Sequence, residues 1–129
     1  MAKYIKAKYK YQLLDTYILA VPIEETKWGP YTAIHNGHLW ISDGYAWDGP
    51  SGPVADTPKT MRASLVHDAL YQLIREKALS PGHRKLADQI FRDLCIEDGV
   101  PKWLARIYYK GLRAFGKPAA TKPKRIYEI

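Results

Sequence analysis

Cysteine is almost absent from this chain: Cys95 is the single one among 129 residues. One thiol excludes an internal disulfide and any cysteine-rich zinc module, so packing has to hold the fold together. Long apolar runs are missing too. No segment reaches membrane-spanning length, and the opening Met1-Ala2-Lys3-Tyr4-Ile5-Lys6 lacks the apolar stretch of a signal peptide. A protein made in a cytoplasm is therefore expected, with action elsewhere requiring another release route. No internal repeat is present. Acidic residues are scarce at the C-terminal end, where Glu128 alone opposes Lys102, Arg106, Lys110, Arg113, Lys117, Lys122, Lys124 and Arg125.

What is present suits a globular protein. Hydrophobic residues make up 47% and charged residues 26%, which excludes wholesale disorder. The length is that of a single domain, residues 1–129, with enough chain to bury a core. The net charge of +7 is gathered at the two ends, with Lys3, Lys6, Lys8 and Lys10 opening the chain. Such a field favours a polyanion: nucleic acid, anionic lipid head groups or an acidic protein surface. A solvated, soluble surface explains the same charge, and no nucleic-acid recognition motif accompanies it.

The pattern predicts an α+β fold with a strand-rich front, about 3–41, and a helical back. Tyr9, Tyr11 and Leu13 alternate with polar neighbours, Asp15-Thr16 offers a turn, and Tyr17 to Val21 follows, which reads as a hairpin. A second hairpin runs from Tyr31 to His35, through Asn36-Gly37, to His38–Ile41. Asn-Gly is a strong turn signal because both residues tolerate positive φ. Residues 42–59 read as a Gly/Pro loop. Met61, Leu65, Ala69, Leu70 and Leu73 recur at helical spacing and predict a helix over about 60–77. Ser80-Pro81 looks like a cap and first position for a second helix, 81–98, with Leu86, Ile90, Phe91 and Leu94 inward and Gly99 ending it. Pro101 opens a third, 101–116, with Leu104, Ile107, Tyr108, Leu112 and Phe115 inward. Residues 117–129 read as a loosely held basic tail.

The chemistry-bearing residues concentrate between Ala63 and Leu94. The turn around Lys77 to Ser80 lies about midway between His67 and Asp88, so antiparallel helices hinged there bring these side chains level. A carboxylate on one imidazole nitrogen fixes the tautomer and leaves the other nitrogen free to take a proton. Asp68 points roughly 100° away around the helix and could hold a cation beside that base. The loop Tyr45 to Pro53 precedes this helix. Its glycines and prolines turn carbonyls outward and Asp48 adds a carboxylate, a donor set suited to Ca²⁺. Asp56 is near enough in sequence to be a further ligand. The alternative is structural: a buried histidine satisfied by Asp88, Asp68 paired to Arg62 or Arg84, Asp48 capping a turn, and Trp47 plugging the core.

These residues resemble the phospholipase A2 superfamily, particularly its small bacterial members. Asp48-Gly49-Pro50-Ser51-Gly52-Pro53 is similar to that family's calcium loop, His67-Asp68-Ala69-Leu70-Tyr71 to its catalytic helix, and Asp88-Gln89-Ile90-Phe91 to its second-helix motif. Nearly the whole chain also resembles DUF1353, a family of largely phage-encoded proteins. Asp48, Ser51 and Pro53, His67 to Tyr71, and Ala87 to Phe91 meet its pattern. The phospholipase resemblance implies His67 as base, Asp88 as its orienting acid and Tyr71 as support. It implies Ca²⁺ on Asp68, Asp48 and loop carbonyls including that of Gly49. Trp47 and Ser51 would then lie near substrate or interface, and the partner would be a phospholipid surface. The family's disulfides have no counterpart here, nor does the β-rich front occur in small phospholipases. A noncatalytic virion or assembly protein that keeps the helix pair as a scaffold is the competing expectation, with other phage proteins as partners.

Among the remaining candidates, His35 and His38 flank the Asn-Gly turn and could meet as a metal pair, although exposed turn histidines are commoner. His83 reads as solvated, Cys95 as an inert buried thiol.

Overall fold

The computed structural model describes residues 4–5, 11–49, 54 and 57–121. Antiparallel strands come first and helices follow, the α+β order expected from the residue pattern. The chain divides into two compact units, Met1–Gly49 and Pro50–Ile129.

In the first unit, β1 (Tyr4–Ile5), β2 (Tyr11–Leu13) and β7 (Ala46–Trp47) form a three-stranded antiparallel sheet in the order β1-β2-β7. A four-stranded sheet, also antiparallel, has the order β3-β6-β5-β4, with β3 Tyr17–Ala20, β4 Lys27–Trp28, β5 Thr32–His35 and β6 His38–Ile41. The Asn-Gly hairpin forms as expected: Asn36 and Gly37 have φ of 51° and 70°, the left-handed pair that joins β5 to β6. Leu13, Ile34, Leu39, Ile41, Tyr45 and Trp47 make up its buried core.

The expected hairpin between Leu13 and Tyr17 does not form. Tyr11 pairs with Trp47 and Tyr17 with Ile41, so the two strands belong to different sheets. Leu13 instead takes its backbone bonds from the segment read as loop: its N–H donates to the Tyr45 carbonyl at 2.7 Å, and the Leu13 carbonyl accepts from Gly44 N–H at 2.7 Å. Alternation announces a strand but not its neighbour, which is decided by where the buried faces meet.

In the second unit, α1 spans Pro58–Arg75, with proline at its first turn, where no N–H partner is lost. The Thr57 backbone N–H donates to Thr60 Oγ1 at 3.2 Å, closing the start of the helix. All five residues of its expected apolar stripe are buried, and so are Ala63, Ser64, Val66, Tyr71 and Ile74. Helix α1 is thus central, with α2 (Arg84–Glu97) and the short α4 (Lys117–Thr121) packed against it. Lys77, at φ 63°, reverses the chain after α1, and Ala78 N–H donates back to Leu73 O at 2.9 Å. Pro81–His83 adds one 3-10 turn before α2, so the regular helix starts three residues later than the cap signal suggests. Helix α3 covers Lys102–Phe115 and packs on α2.

Two expectations about this end of the chain change. Residues 117–121 are helical, with Ala120 buried and the Ala119 carbonyl accepting from Arg75 Nη1 at 2.7 Å; residues 122–129 lie outside the described set. Tyr108 and Leu112 of α3 face inward as expected, but Ile107 and Phe115 do not: they are 51% and 78% exposed. Helix α3 lies on the outside of α2, and a single buried stripe is all the neighbouring elements cover.

Candidate functional site

Partner residues on α1 and α2 run in opposite directions: Arg62 reaches Asp98, His67 reaches Asp88, and Tyr71 meets Arg84. This antiparallel register places His67 Nε2 2.8 Å from Asp88 Oδ1. The geometry assigns the Nε2 proton to the bond with the carboxylate, which leaves Nδ1 as the basic nitrogen. Phe91 meets the imidazole edge-on with ring centroids 5.3 Å apart, and the Tyr71 ring lies against it at 4.0 Å. The ring is therefore held on two sides while a small part of the His67 side chain, 12%, stays open to solvent.

Asp88 is fully buried, and a lone carboxylate there would cost several kcal/mol. Its oxygens are saturated instead. Oδ1 accepts from His67 and, at 2.5 Å, from the Tyr71 hydroxyl; Oδ2 accepts from Arg113 Nη1 at 2.8 Å and lies 3.7 Å from Arg84 Nη1. Burial pulls the Asp88 carboxyl upward, but the hydrogen bonds from His67 and Tyr71, the charge of His67 and the bond from Arg113 outweigh it, holding the group below the ordinary carboxylate range. Burial raises the Tyr71 hydroxyl well above its ordinary value, and its bond to ionised Asp88 adds to the shift. Tyr71 is therefore a donor throughout the physiological range.

Neither Arg84 nor Arg113 is prominent in the residue pattern as a site residue, and both complete the cluster. Arg84 stands one helical turn before Asp88, a spacing legible in the sequence. Its guanidinium also donates to the Leu112 carbonyl at 3.0 Å and the Arg113 carbonyl at 3.2 Å, satisfying the C-terminal end of α3. That capping delivers Arg113 to Asp88, and no local signal announces it. Gly116 lies against the same knot: a Cβ there would meet Leu112 O at 2.5 Å, Tyr71 Oη at 2.8 Å and Arg84 Nη1 at 3.1 Å.

The other expected site residues are distributed as follows. Asp68 is half-buried on α1 beside His67. Of the two arginines suggested as its partners in the structural alternative, Arg62 bonds Asp98 at 2.9 Å, and Arg84 faces Asp88 and the end of α3. Asp48 is exposed in the first unit, followed by Gly49 at φ 81°. Trp47, expected near a substrate, is 1% exposed and packs on Tyr11 with ring centroids 5.7 Å apart, so it serves as core. Ser51 and Asp56 lie outside the described residues, as do the other central residues of the expected calcium loop, 50–53. Among the described residues no three His, Cys, Asp or Glu side chains are grouped to hold a metal ion. Calcium loops draw largely on carbonyls and need fewer carboxylates than that. His35 and His38 are register partners across the hairpin, with His38 Nδ1 2.8 Å from the Asn36 carbonyl. His83 Nδ1 contacts Ser80 Oγ at 3.0 Å. Cys95 is buried, its thiol pushed up to about 12 by burial and by nearby Asp98, which makes it inert.

A family profile described as a protein of unknown function, DUF1353, matches residues 31–112. No curated protein and no solved structure matches the chain.

Proposed function

The chain belongs to the DUF1353 family, and on that premise we propose that it is a phage-encoded, phospholipase A2-like ester hydrolase acting on phospholipid, with His67 as base and Asp88 as its orienting acid. The observation that carries this reading is the 2.8 Å bond between His67 Nε2 and a buried, ionised Asp88, which commits one imidazole nitrogen and frees the other. His67 Nδ1 takes a proton from water as the water oxygen bonds to the ester carbonyl carbon. Asp88 stabilises the imidazolium, which then returns the proton to the departing alkoxide as the carbon–oxygen bond breaks. A base so positioned contributes typically about 10²–10⁴-fold. Tyr71 and Arg113 keep Asp88 charged and stationary while its partner cycles between neutral and charged forms.

Ca²⁺ is part of the proposal: the phospholipase resemblance implies Asp68, Asp48 and the Gly49 carbonyl, with Asp56 near in sequence, as the groups that would hold it, and a bound ion would polarise the ester carbonyl. The phage setting implied by the family resemblance gives such an enzyme a use at envelope entry or lysis. Purified protein is expected to hydrolyse a fluorescent diacyl phospholipid in Ca²⁺ and to lose that activity with EDTA or in His67→Asn.

One observation favours a second reading. Asp88 is so fully satisfied by its donors that the same cluster would serve as a polar brace in a noncatalytic virion or assembly protein. Absence of turnover on any acyl ester under the conditions above selects that reading.

A further inference from the structure

Helix α3 carries an outward face that the fold leaves without a partner. Trp103, Ile107 and Phe115, at 65%, 51% and 78%, are the exposed large apolar side chains of the second unit among its described residues. All three lie on one helix. At about 100° per residue, Trp103, Ile107 and Ala114 fall within one narrow stripe, with Phe115 on the side of Leu104. The other flank carries Lys102, Arg106 and Lys110, all exposed, and Lys117 continues it at the start of α4. Between residues 100 and 121 there is no aspartate or glutamate.

We infer that this face of α3 docks the protein on an anionic phospholipid bilayer, lying in the plane of the interface. The charge pattern selects the occupant. Uncompensated cations require an anionic surface, and large apolar groups on the adjoining stripe gain only if that surface has an apolar interior below its charged layer. Trp103, Ile107 and Phe115 enter the boundary between head groups and acyl chains while Arg106, Lys110 and Lys117 remain at phosphate level. A nucleic acid would meet the cations and leave Ile107 without a contact of its own kind. The helix is too short to cross: fourteen residues span roughly 21 Å. Arg113 on this helix bonds Asp88, so the docking helix and the His67–Asp88 pair belong to one compact unit. The inference rests on the phospholipid-hydrolase reading for its purpose, but its test does not depend on turnover.

Co-sedimentation of the full chain with phosphatidylglycerol/phosphatidylcholine vesicles, against pure phosphatidylcholine, measures the docking directly. Preferential binding to the anionic vesicles is expected, weakening as salt rises. Arg106→Gln and Lys110→Gln, both at exposed positions, should each reduce the partition coefficient about fivefold. Trp103→Ser combined with Ile107→Ser should reduce it at least about tenfold at unchanged circular dichroism. His67→Asn should bind like the wild type, and a wild-type chain that binds the vesicles without hydrolysing them defeats the enzyme reading alone. Equal partition to neutral and anionic vesicles, wild-type binding by the charge variants, or tighter binding to a duplex DNA than to the vesicles would overturn the inference.

Discussion

Asp88 is the residue on which the second unit turns. It is negative, wholly buried, and met by one imidazole, one phenol and two guanidinium groups. Removing its charge leaves the half-buried Arg84 and Arg113 facing a neutral amide. Asp88→Asn is therefore expected to cost about 3–5 kcal/mol in chemical denaturation. Tyr71→Phe deletes one donor to a charged acceptor and keeps the ring against His67, so about 1.5–3 kcal/mol is expected. A Tyr71→Phe penalty equal to that of Asp88→Asn would mean that the ring's packing, not the hydroxyl's bond, is what matters there. His67 and Asp88 were legible in the sequence because a helix reversal of known length set them level. Arg113 was not, because its approach depends on a neighbouring helix that no local pattern orients.

At the scale of elements, helix existence followed from periodicity, whereas ends and partners did not. The reversal between α1 and α2 uses Lys77 in a left-handed conformation at φ 63°, where glycine is unstrained. Lys77→Gly should therefore raise the denaturation midpoint, by a gain of about 1 kcal/mol, with the α1–α2 register unchanged. A loss on this substitution would show that the lysine side chain contributes more than its backbone costs. Helix α3 teaches the opposite lesson about periodicity. Its apolar residues extend beyond a single inward stripe, and the excess faces solvent as Trp103, Ile107 and Phe115. Apolar positions at helical spacing identify a helix, but the number of neighbours decides how many of them are core.

For the whole molecule, the buried titrating groups set a stability curve with two limbs. Asp88 has a lowered value in the fold, so its contribution is complete above the ordinary carboxylate value of about 3.9 and is lost as pH falls through its folded value. Tyr71 and Cys95 are raised, so their contributions are complete below their unfolded values and are lost as pH rises through their folded ones. For Cys95 that loss starts near the ordinary thiol value of about 8.5 and is complete beyond about 12. Urea midpoints measured from acid to alkaline pH should therefore plateau between about 5 and 8 and fall on both sides. Cys95→Ala should flatten the onset of the alkaline limb, and an unchanged slope above pH 8.5 would contradict the burial of that thiol.

Composition excluded disulfides and membrane-crossing helices because those depend on counts and run lengths, which the chain carries openly. Periodicity and turn chemistry determined the strand-then-helix order, the Asn36-Gly37 hairpin and the His67–Asp88 register, because each of these is set within a few tens of residues by backbone geometry. Tertiary structure alone decided that β2 pairs with β7 rather than β3, that Trp47 is core, and that Arg84 and Arg113 close around Asp88. Sheet partners and buried charges are chosen by burial and electrostatics between segments far apart in sequence. No local pattern records which distant segment will be there.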